Sequence, residues 1–206
     1  MLMYGELVSN RAEFETKVIS ICKKLGIHPD WLMATMYIES TMIHTAVNVK
    51  TRATGLIQFT PSTAVSLGTT VEALKAMSNI EQLDYVYKYL KPYALKIKSF
   101  VDCYFAVFFP AAIGQYSDYI LQTMGLSARY VADLNGGYDL NNDNQLTFRE
   151  VETKVLLAID PKYRAQLISE KVPVVIKWDF QRIVFVLLAV ALIGFGGYSL
   201  FKIFKK

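Results

Sequence analysis

The run Tyr37-Ile38-Glu39-Ser40, followed at short range by Ala53-Thr54-Gly55-Leu56-Ile57-Gln58-Phe59-Thr60-Pro61, constrains this chain more than any other feature. Pro29 and Asp30 read as the first turn of a helix, and Leu32, Thr35, Met36 and Glu39 recur at the spacing of one helical face. Glu39 is therefore expected to project from a mostly apolar stripe near a helix end. A carboxyl group held against Met and Leu side chains loses solvation of its charged form. Its pKa should rise toward the range where a general acid works near neutral pH. The bland alternative is a Glu that ends a helix and points into water.

The second run reads as a turn that feeds a helix. Thr60 is the expected N-cap with Pro61 at the first helical position, so Gly55 to Phe59 forms a short extended or turn segment before it. Gly55 has no side chain to block a ligand near the backbone. Gln58 offers a donor and acceptors of the kind that amide and hydroxyl groups of N-acetylated sugars require.

With Glu-Ser upstream and the glycine, glutamine and proline in order, Glu39, Ser40, Gly55, Leu56 and Gln58 resemble the active-site signature of the soluble-lytic-transglycosylase-like (SLT) branch of the lysozyme superfamily. The resemblance, spread over about residues 12 to 120, implies a mainly α, lysozyme-like α+β fold, with a helical domain and a small β region beside a sugar cleft. It implies that Glu39 protonates the glycosidic oxygen of peptidoglycan. As a carboxylate, Glu39 then draws the proton from the muramic acid C6 hydroxyl, giving an anhydro sugar without water and without a cofactor. Ser40 would orient Glu39 or the substrate acetamido group, while Gly55, Leu56 and Gln58 would line the cleft. Many family members carry Ala-Tyr-Asn-Ala-Gly farther on, where this chain reads Tyr104-Phe105-Ala106-Val107-Phe108-Phe109-Pro110, similar to phage-encoded relatives. Tyr104 is the nearest candidate for the family's sugar-contacting tyrosine, with a structural role as the alternative.

Around these motifs the pattern is helical. An amphipathic helix is expected over residues 12 to 25, stopped by Gly26, and the Glu39 helix from Pro29 to about Thr41. Ala46 to Val49 and Leu56 to Phe59 are the candidate short strands. Further helices follow the Thr60 and Thr70 caps, and Ser78 with Glu81 forms a capping box for a helix ended by Pro92. The nearly continuous apolar stretch Phe100 to Phe109 suits a central buried helix, terminated by Pro110. Cys22 and Cys103 fall in helices and read as small buried hydrophobes rather than a metal motif, with a disulfide between them left open. His28, ahead of a helix-starting proline, suits local capping or packing.

A second constellation lies at Asp139 to Glu150. Asp139, Asn141 and Asp143 fall at positions one, three and five of an EF-hand-type loop and Glu150 at position twelve, with Gln145 offering its backbone carbonyl and Thr147 a direct or water-mediated contact. Asn144 replaces the usual glycine at the sixth position, and Asn is the next most tolerant residue of a left-handed backbone. A structural Ca²⁺ is the expected ligand. The alternative is a polar loop in which Thr147 and Glu150 form a capping box for the next helix.

Composition adds the compartment. The chain has 206 residues, 53% of them hydrophobic, and a formal charge of +4. Ile183 to Phe201 carries no charge and approaches the roughly 20 residues a helix needs to cross a bilayer, with Trp178, Tyr198, Lys202, Lys205 and Lys206 as interfacial anchors. The lysine tail suits anionic lipid and accounts for part of the net charge. No basic and aromatic alternation points to nucleic acid. Met1 to Asn10 lacks the pattern of a secretory signal.

The expected organisation is a lysozyme-like transglycosylase domain over 1–125, the calcium loop and its helix over 126–160, a linker with a short helix over 161–182 and a transmembrane helix over 183–204. The expected protein is a membrane-anchored peptidoglycan lytic transglycosylase, in a virion membrane or a bacterial envelope. Its partners would be glycan strands, the bilayer and, for a bacteriophage lysin, other virion proteins. The rival readings are a lysozyme-type muramidase, with Glu81 or Asp84 as a second carboxylate, and an inactive membrane-anchored wall-binding protein.

Overall fold

The structure is a computed structural model, and it describes residues 1–169, which belong to one compact unit. The expected transmembrane helix, and residues 170–182 of the expected linker, lie outside the described residues. Among the described residues no helix is long and apolar enough to cross a membrane.

The fold is mainly helical. Helix α1 (Arg11–Leu25) stops at Gly26 in the left-handed conformation, at φ 69°. Helix α2 (Pro29–Ser40) starts where His28 Nδ1 accepts from the Asp30 N–H, and it ends on Thr41, also left-handed. The short helices α3 (Pro61–Ser66) and α4 (Val71–Ala76) are capped by the Thr60 and Thr70 hydroxyls. Helix α5 (Asn79–Leu90) opens with the full Ser78–Glu81 capping box, and a 3₁₀ turn at Lys91–Tyr93 follows it. Helix α6 (Phe100–Phe108) ends where Phe109 turns extended ahead of Pro110. Helices α7 (Ala128–Leu134), α8 (Phe148–Ala158) and α9 (Pro161–Ser169) complete the described chain.

The core is organised around α2, which packs on α1 and α6, while α1 also packs on α5. Trp31, Leu32, Met33, Ala34 and Met36 are all completely buried, so the first turns of α2 are enclosed on every side rather than along one stripe. Helix α6 is buried nearly as fully. Asp102 clamps it at both ends, Oδ2 accepting from the Lys98 N–H at 2.9 Å and Oδ1 from the Gly114 N–H at 3.0 Å. Cys22 and Cys103 are buried free thiols, and burial pushes the Cys103 thiol up to about 12.

The small β region takes a different form from the expected strands. Thr54 forms isolated antiparallel bridges to both Val47 and Phe59, and no strand ladder extends from them among the described residues. Leu56 cannot begin a strand because Gly55, at φ 86°, and Gln58, at φ 52°, make the segment between them a turn. The first half of the expected 161–182 linker is helix α9, with Leu167 buried.

The N-terminal segment lies against α2 from its first turn to its last. The Met3 N–H donates to Asp30 Oδ1 at 2.8 Å, the Tyr4 ring stacks on Tyr37 at 3.8 Å, and the Tyr4 hydroxyl accepts from the Asp160 N–H at 3.1 Å.

Candidate active site

Glu39 sits in the last turn of α2, half-buried, where the helix emerges from the core. Burial pushes its carboxyl up to about 7. The carboxyl faces a cleft of about 340 Å³. One wall is the loop after α2, which contributes Asn48, Ala53 and Gln58; the other is α6, with Tyr104, Val107 and Phe108. Asn135 and Tyr138, from the end of α7 and the 3₁₀ turn behind it, complete the lining.

The aromatic side of the cleft is rigidly built. Tyr104 stacks on Phe108 at 5.6 Å between centroids, Phe108 lies 5.0 Å from the Tyr138 ring, and the Tyr104 and Tyr138 hydroxyls are 2.6 Å apart. Burial raises both phenols above their ordinary range and the Glu39 carboxylate adds to it, so they stay neutral beside the acid.

Of the residues expected at the site, the fold brings Glu39, Gln58 and Tyr104 together in the cleft. Ser40, Gly55 and Leu56 lie behind it as scaffold. Ser40 Oγ is 3.0 Å from the carbonyl oxygens of both Met36 and Leu56, so its one proton joins the helix end to the turn instead of orienting Glu39. Leu56 is completely buried. Gly55 is needed for its conformation and for space, since a Cβ there would lie 2.5 Å from Gln82 Oε1. Gln58 keeps its own turn in shape, Nε2 donating to the Gly55 carbonyl at 3.0 Å and to that of Ala46 at 3.4 Å.

Gln82 was not legible as a site residue, yet it fixes the loop. It is completely buried; Oε1 accepts from the Leu56 N–H at 3.0 Å, and Nε2 donates to His44 O at 2.6 Å and Leu74 O at 2.7 Å. Its place on the buried face of α5, between Asn79 and Leu83, was the only signal: a polar residue in an apolar stripe has to find partners. Asn48, Asn135 and Tyr138 were also missed. Asn135-Gly136-Gly137 reads as a helix stop, and nothing local places it across from Glu39.

Neither candidate second carboxylate reaches the cleft. Glu81 Oε2 accepts from the Ser78 N–H at 2.8 Å, and Asp84 pairs with Lys17 Nζ at 2.7 Å. Among the described residues Glu39 is the one carboxylate lining this cleft.

The Asp139–Glu150 loop has several features of a cation loop. Asn144, at the sixth position, is left-handed at φ 63°, and its N–H donates to Asp139 Oδ2 at 3.0 Å. Asp139 Oδ1 is buried without a hydrogen-bond partner, an orphaned oxygen that a cation would satisfy. The far end fits less well. Glu150 Oε1 accepts from the Leu140 N–H at 3.0 Å and Oε2 from the Thr147 N–H at 2.9 Å, the capping box foreseen from sequence, so Glu150 would have to release these to reach a metal. Among the described residues no group of three or more His, Cys, Asp or Glu side chains is gathered as a metal site.

No curated protein and no solved structure matches the chain. The family model of the transglycosylase SLT domain matches residues 17–92, from within α1 to just past α5. That segment contains Glu39, Ser40, Gly55, Leu56, Gln58 and Gln82, whereas Tyr104, Asn135 and Tyr138 lie beyond it. Over these residues the chain is similar to a family of lytic transglycosylases that act on peptidoglycan.

Proposed function

We propose that this protein is a peptidoglycan lytic transglycosylase that cleaves the β-1,4 bond between MurNAc and GlcNAc and leaves a 1,6-anhydro-MurNAc end. The observation that carries the reading is Glu39, a carboxyl held near 7 by burial in a cleft that contains no other carboxylate among the described residues. At pH 7 such a group divides its time between acid and base forms, as a single residue acting twice requires. Protonated Glu39 gives its proton to the glycosidic oxygen as the C1–O bond breaks. The carboxylate then takes the C6 hydroxyl proton as that oxygen bonds to C1, so the proton count closes without water. The substrate N-acetyl group stands in for the missing second carboxylate. A muramidase of the two-carboxylate type needs that second group, and Glu81 and Asp84 are engaged elsewhere.

The setting we propose is membrane-anchored, through residues 183–204, in a bacteriophage virion that opens the host wall locally; the apolar, lysine-ended sequence supports the anchor. A structural Ca²⁺ held by Asp139, Asn141, Asp143, the Gln145 carbonyl and Glu150 would fix the chain that enters the cleft at Tyr138. The buried, unpartnered Asp139 Oδ1 supports it.

The test is digestion of purified wall followed by mass spectrometry of the muropeptides. Anhydro ends, lost in Glu39→Gln, are expected. Reducing ends would make the protein a muramidase, and binding to sacculi without cleavage would make it a wall-binding protein.

A further inference from the structure

The amide side chains of the cleft are held by local hydrogen bonds, and those bonds determine what each has left to offer. Asn48 Oδ1 accepts from the N–H groups of Lys50 at 3.0 Å and Thr51 at 3.1 Å. Its backbone is also engaged, the N–H donating to Ala53 O at 2.8 Å and the carbonyl accepting from the Arg52 N–H at 2.7 Å. The polar group that remains is Nδ2, a donor. Asn135 is the converse. Nδ2 donates to Val131 O at 2.9 Å, its N–H donates to Ala132 O at 3.0 Å and its carbonyl accepts from the Tyr138 N–H at 2.9 Å, which leaves Oδ1, an acceptor. A backbone N–H can only donate and a carbonyl can only accept, so each amide's orientation follows from its partner.

Both asparagines line the Glu39 cleft, from two different elements, and neither leftover group has a partner among the described residues. The two asparagines therefore present one unfilled donor on the loop after α2 and one unfilled acceptor at the end of α7, and Gln58, whose Nε2 holds its own turn, adds its Oε1 as a further acceptor on the Asn48 side. A secondary amide carries the complement, a carbonyl acceptor and an N–H donor on separate atoms facing opposite ways. A hydroxyl offers both on a single oxygen. A free amine at neutral pH is an ammonium with donors only, set against the Asn48 donor.

We propose that Asn48 and Asn135 are the specificity pair for an N-acetylated sugar, Asn48 Nδ2–H donating to the acetyl carbonyl and Asn135 Oδ1 accepting from the amide N–H. This rests on the peptidoglycan reading above and deepens it, because Asn135 lies outside the matched segment 17–92.

The experiment uses full-length Glu39→Gln protein, which binds without turnover, and calorimetric titration with an N-acetylglucosamine tetramer, its de-N-acetylated counterpart and a cellotetraose. Asn48→Ala and Asn135→Ala on that background are each expected to weaken the acetylated tetramer about five- to tenfold and to leave the other two unchanged. Asn48→Asp keeps the acceptor of the turn while replacing the donor with a carboxylate oxygen, so it should melt like its parent and lose the acetyl preference. No binding of the acetylated tetramer by the parent, equal binding of all three, or equal weakening of all three in the variants would each overturn the proposal. Muropeptide analysis of the wild type separates the two failures: wall cleavage with unchanged sugar preference in the variants defeats the specificity pair alone.

Discussion

The hydroxyls of Tyr104 and Tyr138 lie 2.6 Å apart, joining the buried helix α6 to the segment that leads into the Asp139–Glu150 loop. One of the two donates and the other accepts, beside Glu39 and in a cleft that their rings help to wall. Either Tyr→Phe change leaves the other, part-buried hydroxyl without this partner, at a cost of about 1 kcal/mol in denaturant unfolding. Because both single changes break the same bond, the double variant is expected to cost less than their sum, by about 1 kcal/mol. Additive losses would show that the hydroxyls act independently.

Glu39 makes stability depend on pH in a stated direction. Its folded pKa of about 7 stands above the ordinary value of 4.5, so between those values the native state holds a proton that the unfolded state has released. Stability from this group is therefore full below about pH 4.5 and declines as pH rises through 7, by up to about 3 kcal/mol. Glu39→Gln removes the decline. Thermal melts should show the variant more stable than wild type at pH 8 and similar to it at pH 5.

Gln82 should be the most sensitive polar position of the fold. Gln82→Leu keeps the volume but leaves the Leu56 N–H and the His44 carbonyl without their partner, while the Leu74 carbonyl keeps the Met77 N–H, and it is expected to cost about 2 to 3 kcal/mol. Gly55→Ala, which forces a left-handed backbone on a side chain aimed at Gln82, should cost about 1 to 3 kcal/mol. Both are read by urea unfolding, and both should lower wall cleavage through the displaced Gln58 turn.

A cation in the 139–150 loop would stabilise the native state alone. Saturating calcium, at about a hundred times its dissociation constant, is expected to add about 2.7 kcal/mol, seen as a rise in Tm that a chelator reverses. Asp139→Ala should abolish the rise. A wild-type melt indifferent to calcium would remove the metal from the account.

The sequence by itself determined the elements whose signals are local. The caps at Thr60, Thr70, Ser78 and Thr147, the prolines at 29, 61 and 110, and the glycine stop at Gly26 set helix ends through backbone groups a few residues away, and each acts as its chemistry requires. The raised Glu39 pKa was also legible, because an apolar run around a carboxyl announces its desolvation. The form of the 44–59 segment was not. Its short strands give way to a turn because Gln82, on a distant helix, takes the Leu56 N–H that a strand would have paired, and Ser40 holds the same turn from the other side. The far wall of the cleft was equally invisible, since Asn135 and Tyr138 line the Glu39 cleft only once Tyr138 has met Tyr104 and Phe108 of α6. Local hydrogen bonding writes helix ends into short stretches of sequence, whereas a cleft is made by residues whose only relation is that burial of the core brought them to opposite sides of the same space.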